Sequence, residues 1–232
     1  MATLPRRLVA EAFGTFGLVF VGTAAVVVNA FPSASYGILG IAVAHAFVLA
    51  IMITATMNIS GGHLNPAVTF GLLVARKIDL RTALPYIAAQ LAGAVLASLL
   101  VTYAIPSNVG RVLSYGTPVV ATSITFLQAI TIEAVLTFFL VSAVFGTAVS
   151  PDAPKVGGFG IGLVLLFAIL VGGPLTGAAL NPARAFAPAL VSGNWLGQAV
   201  WWIGPLLGGL AAGVLWKLVL LPPDKSPKGL MK

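Results

Sequence analysis

The chain has 232 residues, of which 59% are hydrophobic and only 7% charged, with a formal net charge of +7 and no cysteine. A soluble domain covers its surface with roughly 25% charged residues, so this composition indicates an integral membrane protein. The lack of a thiol excludes a disulfide framework and Cys-based metal sites, and nothing beyond the net charge points to nucleic acid.

A spanning helix needs roughly 20 apolar residues, and six stretches qualify. The first, about 8–30, is longer than the ~7–15-residue core of a signal peptide and reads as a retained span; it contains Glu11. Phe31-Pro32-Ser33 punctuates the chain before the second span, 37–57. There His45 and Leu49 stand at i, i+4 on one helical face. Ser60-Gly61-Gly62-His63-Leu64 then leads into Asn65-Pro66-Ala67 and an apolar piece, Pro66–Ala75, about half a span long. The third span, 82–104, carries Gln90-Leu91-Ala92-Gly93 and ends at Ile105-Pro106-Ser107-Asn108. The fourth, 124–147, contains Glu133. After Ser150-Pro151-Asp152-Ala153-Pro154 comes the fifth, 157–173, with Leu165 and Ile169 again at i, i+4. A Gly-rich run from Gly172 to Leu180 leads into Asn181-Pro182-Ala183-Arg184 and a second short piece, Pro182–Val191. The sixth span, 197–220, carries Pro205-Leu206-Leu207-Gly208, which matches the Gln90 run. The Pro- and Lys-rich residues 222–232 read as a mobile cytoplasmic tail.

The two triplets lie 116 residues apart, half the chain length. With three spans on each side of the midpoint, the halves have opposite orientation, so 1–232 forms one domain of inverted repeats, about 1–116 and 117–221. Half-length apolar segments at matching positions of two halves are a pointer to a membrane permeation site. Asn is a favoured N-cap and Pro a favoured first helical residue, so each triplet begins a short helix. Two such helices meeting end to end would bring their positive ends and two Asn amides to one point, a way to orient a polar solute while repelling cations.

The Gly-rich stretches cannot be helical throughout, and irregular backbone at membrane depth is tolerated only when buried in protein or lining an aqueous cavity. Extended there, Gly61, Gly62, His63 and Leu64 from one side and Gly177, Ala178 and Ala179 from the other would offer carbonyls to a file of polar molecules. Glu11 and Glu133, ionisable within spans, are functional candidates by default. Their matched placement favours a structural role as braces of the loop backbone; a proton relay is the alternative. Arg6, Arg7, Arg76, Lys77, Arg81, Lys155, Lys217, Lys225, Lys228 and Lys232 share one side of this topology, against Arg111 alone in a loop on the other. The positive-inside rule then puts both termini in the cytoplasm. The two His lack a supporting carboxylate or Cys cluster, so no metal is expected, and no cofactor.

The whole chain resembles the major intrinsic protein (aquaporin) family. The stretch Ser60 to Thr69 and Asn181-Pro182-Ala183-Arg184 are similar to its two signatures. The resemblance implies an all-α fold of six tilted transmembrane helices plus two re-entrant half-helices, assembled as a homotetramer with one pore per protomer. It also implies a selectivity filter near the outer mouth, carried over onto His45, Ile169, Ala178 and Arg184, with Leu49 and Leu165 as wall residues deeper in. Asn108, in the loop after span 3, matches a fifth position that is a His in some ammonia-permeable relatives. The filter is similar to that of plant tonoplast intrinsic proteins, which implies water joined by ammonia and urea, with protons and ions excluded. A glycerol or small-polyol facilitator is the alternative, weakened by Ala185 where that subfamily has an Asp after the Arg. A coupled secondary transporter is the alternative from another class, and an enzyme is not expected, for want of a nucleophile–base pair. The short termini suggest a prokaryotic member and the cell membrane.

Overall fold

The computed structural model describes residues 2–222, which contain helices and no strand. The chain forms α1 (Leu4–Val28), α2 (Gly37–Ser60), the short α3 (Pro66–Val74), α4 (Leu80–Ala104), a single turn α5 (Ser107–Gly110), α6 (Phe126–Val144), α7 (Phe159–Thr176), the short α8 (Pro182–Ser192) and α9 (Val200–Leu215). Six of these, counting the wider turns that extend α6 to Val149 and α9 to Leu220, are long and apolar enough to cross a membrane. The tail expected to be mobile lies, except for Pro222, outside the described residues.

Capping explains the shifts from the expected boundaries. α1 starts at Leu4 rather than 8 because Pro5 falls in the first turn, where its missing N–H is no loss. Arg6 and Arg7 thereby become helical. α6 starts at Phe126 because Thr125 and Gln128 close a reciprocal capping box, at 3.3 and 2.7 Å. α6 and α9 finish alike, in π-helical turns whose first residues, Phe145 and Trp216, stack with ring centroids 5.8 Å apart.

Lipid supplies no hydrophobic drive between helices, so close backbone approach at small residues has to hold the bundle together. The two halves use the same solution. α1 crosses α4 where Gly93 lies against the Ala12 carbonyl, and α6 crosses α9 where Gly208 lies against the Ala134 carbonyl; a Cβ at either glycine would overlap that backbone. Between the halves, α2 packs on α7. Each short helix packs on the last span of the opposite half. α3 meets α9 through Gly71, Gly209 and Gly213, and α8 meets α4 through buried Ala94, Ala97, Ala183 and Ala187. Large apolar side chains such as Phe47, Leu96 and Leu127 face outward, as a lipid-facing surface requires.

Candidate functional site: a neck between two cavities

α2 and α7 both end in left-handed turns. Gly61 (φ 97°), Gly62 (63°) and Leu64 (51°) correspond in order to Gly177 (77°), Ala178 (44°) and Leu180 (52°), each pair 116 residues apart. Leu64, Ala178 and Leu180 hold a backbone that costs a residue with a Cβ about 1–2 kcal/mol, so something must hold them there.

The buried carboxylates do so. Glu11 Oε1 accepts from the Ser60 hydroxyl (2.6 Å) and His63 N–H (3.0 Å), and Oε2 from Leu64 N–H (2.7 Å) and Gln90 Nε2 (2.7 Å). Glu133 Oε1 accepts from the Thr176 hydroxyl (2.7 Å) and Ala179 N–H (3.0 Å), and Oε2 from Leu180 N–H (2.8 Å). A hydrogen bond to a charged group contributes about 1.5–3 kcal/mol, so each set outweighs the strain of its loop. Tyr86 and Trp201 complete the repeat by donating to the carbonyls that end the two helices, Ser60 (2.8 Å) and Thr176 (2.9 Å).

The triplets cap α3 and α8. Asn65 Oδ1 accepts from Ala67 N–H (2.8 Å), and Asn181 Oδ1 from Ala183 N–H (3.0 Å) and Arg184 N–H (3.3 Å). With its oxygen committed, each amide turns its NH2 to the middle. There Asn65 Nδ2 donates to the Leu180 carbonyl and Asn181 Nδ2 to the Leu64 carbonyl, both at 2.9 Å. One hydrogen of each amide remains for whatever passes, since an amide carries two donors. Both asparagines line the inner cavity.

That inner cavity measures about 20 Å³, and a single water needs roughly 10–15 Å³. Its walls are apolar, with Leu49 and Leu165 joined by Leu18, Val68, Leu140 and Ile161. The polar lining consists of His45, His63, Asn65, Asn181 and Arg184. A wider outer cavity of about 310 Å³ begins where the inner one ends. His45 and Arg184 line both; Ala178 belongs to the inner and Ile169 to the outer. These four side chains therefore surround the neck that joins the cavities.

At the neck, His45 Nδ1 lies 2.9 Å from the Ile41 carbonyl. A carbonyl can only accept, so Nδ1 carries the proton and neutral Nε2 is an acceptor. Nε2 has no partner among the described residues, nor has Arg184 Nε. Arg184 Nη1 donates to the Gly116 carbonyl at 2.9 Å.

The structure places most of the sequence-derived residues around this axis, with three differences. The Leu64 carbonyl, expected in the file, is taken by the Asn181 amide. Gly61 and Gly62 shape the turn but line neither cavity, and Gly177 lines only the outer one. Asn108 lies exposed on α5 and lines neither cavity. The loop reaches the neck eight residues later, through Gly116, because a left-handed turn at Ser114–Gly116 redirects it.

Sequence reasoning missed Gly116. It also missed Gly22, whose bare Cα seats the His45 ring; a Cβ there would fall 2.6 Å from Nε2. Thr69 escaped it too, although its hydroxyl joins His63 Nδ1 (3.1 Å) and Gln90 Nε2 (3.0 Å). A glycine opposite a candidate pore residue is a weak signal, legible only once helix pairing is known. No group of three or more His, Asp or Glu suited to a metal occurs among the described residues.

A family model described as "Major intrinsic protein" matches residues 1–216. "Aquaporin TIP4-4" of Zea mays is 41% identical over 221 residues, 91% of this chain and 85% of its own length. "Probable aquaporin TIP3-2" of Oryza sativa subsp. japonica is 47% identical over 195 residues, 82% of this chain and 71% of its own. The X-ray structure of the aquaglyceroporin from Plasmodium falciparum superposes with a TM-score of 0.81 at 24% identity, covering 94% of this chain and 97% of that one, which shows a shared fold. Matched along nearly its whole length, with relatives at this level of identity, the chain belongs to the major intrinsic protein (aquaporin) family.

Proposed function

We propose that this aquaporin-family channel conducts water passively, admits ammonia and urea through the same filter, and excludes protons and ions. The observation that carries this reading is the neck. Its hydrogen-bonding side chains are His45, whose unpartnered acceptor Nε2 is buried beside Gly22, and Arg184 with its donors, set against apolar Ile169 and small Ala178. A neutral molecule that donates and accepts finds both partners there, while the fixed guanidinium charge repels cations. Deeper in, each Asn amide donates one hydrogen to a passing water. A water that accepts from both asparagines keeps its lone pairs turned to them, which interrupts a proton wire, and the positive ends of α3 and α8 act in the same sense. Substituting the small Ala178 and aliphatic Ile169 for bulkier polar groups would close the space through which urea and ammonia pass.

A coupled transporter would need an ionisable carboxylate facing its substrate. Glu11 and Glu133 line neither cavity and are engaged by loop and side-chain donors, which favours the channel. The protein sits in the membrane as a homotetramer with one pore per protomer and both termini cytoplasmic. Stopped-flow light scattering on proteoliposomes tests the reading. Osmotic shrinkage faster than in empty vesicles, with no proton leak under a pH gradient, is expected. Shrinkage at the rate of empty vesicles refutes it.

A further inference from the structure

The face of the bundle that carries the N-terminus has a cavity of about 620 Å³, separate from the pore and lined by Arg7, Leu73, Arg76, Lys77, Asp79 and Thr82 among others. Three cations converge there from the first turn of α1 and the link between α3 and α4. The one carboxylate among them, Asp79, caps α4 through Oδ1, which accepts from Thr82 N–H at 2.7 Å, and its charge is shared between Arg7 and Arg81, leaving the lining net positive. Arg7 is held in place by its Nε, which donates to the Tyr86 hydroxyl at 2.5 Å, and by stacking over that ring at 5.1 Å. Among the described residues its Nη pair makes no hydrogen bond.

Arg76 supplies a second, independent sign. It occupies the left-handed position that closes α3, at φ 59°. Lys77 N–H bonds the Leu72 carbonyl (2.8 Å) and Arg76 N–H the Leu73 carbonyl (2.9 Å), the paired bonds of a Schellman turn. Glycine is the usual occupant of that position. The left-handed ends of α2, α7 and α8 hold Gly61, Gly177 and Gly193. Residues kept in a disfavoured backbone region gather at ligand clamps, and this one carries a guanidinium into a cationic pocket.

We propose that this pocket binds a phosphate group, carried by an anionic phospholipid or free in solution, with Arg7 and Arg76 as forked donors. The Arg7–Tyr86–Ser60 bonds connect it to the loop that leads to the first triplet.

The test uses the full chain and Arg76→Gly. Glycine suits the left-handed turn, so this variant removes the charge without unfolding the helix end; Arg76→Asn serves as a second variant with the same backbone tolerance. In one arm the protein is incubated with equal phosphatidylglycerol and phosphatidylcholine, and retained lipid is counted by native mass spectrometry. In the other, inorganic phosphate replaces chloride at constant ionic strength and the thermal midpoint is read. Preferential retention of phosphatidylglycerol, reduced about fivefold in Arg76→Gly as one lost surface charge implies, assigns the phosphate to lipid. A phosphate-dependent rise in midpoint, absent from the variant, assigns it to solution. Variants that match the wild type in both arms overturn the proposal. So does an equal loss of lipid retention in Arg111→Gln, which would mark general charge attraction. A ligand-free Arg76→Gly less stable than the wild type would make Arg76 structural and overturn it as well.

Discussion

Glu11→Gln isolates the brace from every other property of the pore. The substitution keeps size and shape but turns one carboxylate oxygen into an NH2. At Oε2 that group would confront two donors, Leu64 N–H and Gln90 Nε2. Gln90 can turn over, since its Oε1 is buried and unpartnered, at the expense of its bond to Thr69. The Leu64 N–H cannot turn. One buried backbone donor is orphaned, a cost of about 1–3 kcal/mol, and the surviving bonds at Oε1 lose their charge assistance, about 1 kcal/mol each. The total of about 3–5 kcal/mol matches what breaking a buried charged network usually costs. On the scale of a 150–250-residue protein that lowers the thermal midpoint by roughly 6–20 °C. The left-handed turn at Leu64 should relax with it, so water flux per folded channel falls too. Midpoint by tryptophan fluorescence and flux by stopped-flow scattering are the two readouts. A proton relay would give the opposite pair of results: proton movement abolished at unchanged stability. An unaltered midpoint would therefore refute the brace.

Other consequences are more local. His45→Phe removes the acceptor at the neck and narrows it, so water flux should persist while urea and ammonia flux fall, read as a change in the solute-to-water permeability ratio. Gly116→Ala places a Cβ 2.9 Å from the Thr23 Cα in a backbone at φ 80°; expect a loss of more than about 1 kcal/mol and a loosened Arg184, seen as a lower midpoint with a new cation leak. Tyr86→Phe and Trp201→Phe each remove one donor to a helix-ending carbonyl, at least about 1 kcal/mol apiece, with more lost because the first also strips Arg7 Nε of its acceptor and the second leaves a gap at a fully buried site. The two sites share no partner, so the double variant should show the sum in chemical denaturation, and strong non-additivity would mean the braces act as one unit. With no cysteine in the chain, organomercurials at micromolar dose should leave water flux unchanged in the proteoliposome assay.

The parts of this site that repeat were legible in the sequence, because repetition at a fixed offset needs no knowledge of packing. The triplets and the Gly-rich turns fall in that class; Glu11 and Glu133, 122 residues apart, stand out instead as ionisable residues early in each half. His45, Ile169, Ala178 and Arg184 were implied by the resemblance to the aquaporin family, and in the structure they line the inner or the outer cavity, His45 and Arg184 lining both. What escaped was contact between elements distant in the chain. Gly116 meets Arg184 across 68 residues, and Gly22 meets His45 only because α1 packs on α2. Asn108 went astray for a related reason. Counting along a loop assumes a direct path, and the left-handed residues Ser114 and Tyr115 bend this one. Nor does any spacing rule show that the Leu64 carbonyl is bonded to the opposite asparagine.

That last bond sets an order of assembly. The first triplet leaves the ribosome 116 residues before the second, so Asn65 must wait for the Leu180 carbonyl. α3 waits longer still, since the surface it packs on belongs to α9, which is made after α8. Until then a polar loop and a half-length helix lie in the bilayer without their final partners. The lumen is thus completed only once α9 has been made and has taken its place beside α3. A chain truncated before α9 would leave α3 unsupported, and channels interrupted at the midpoint should regain conduction only when both fragments are made together.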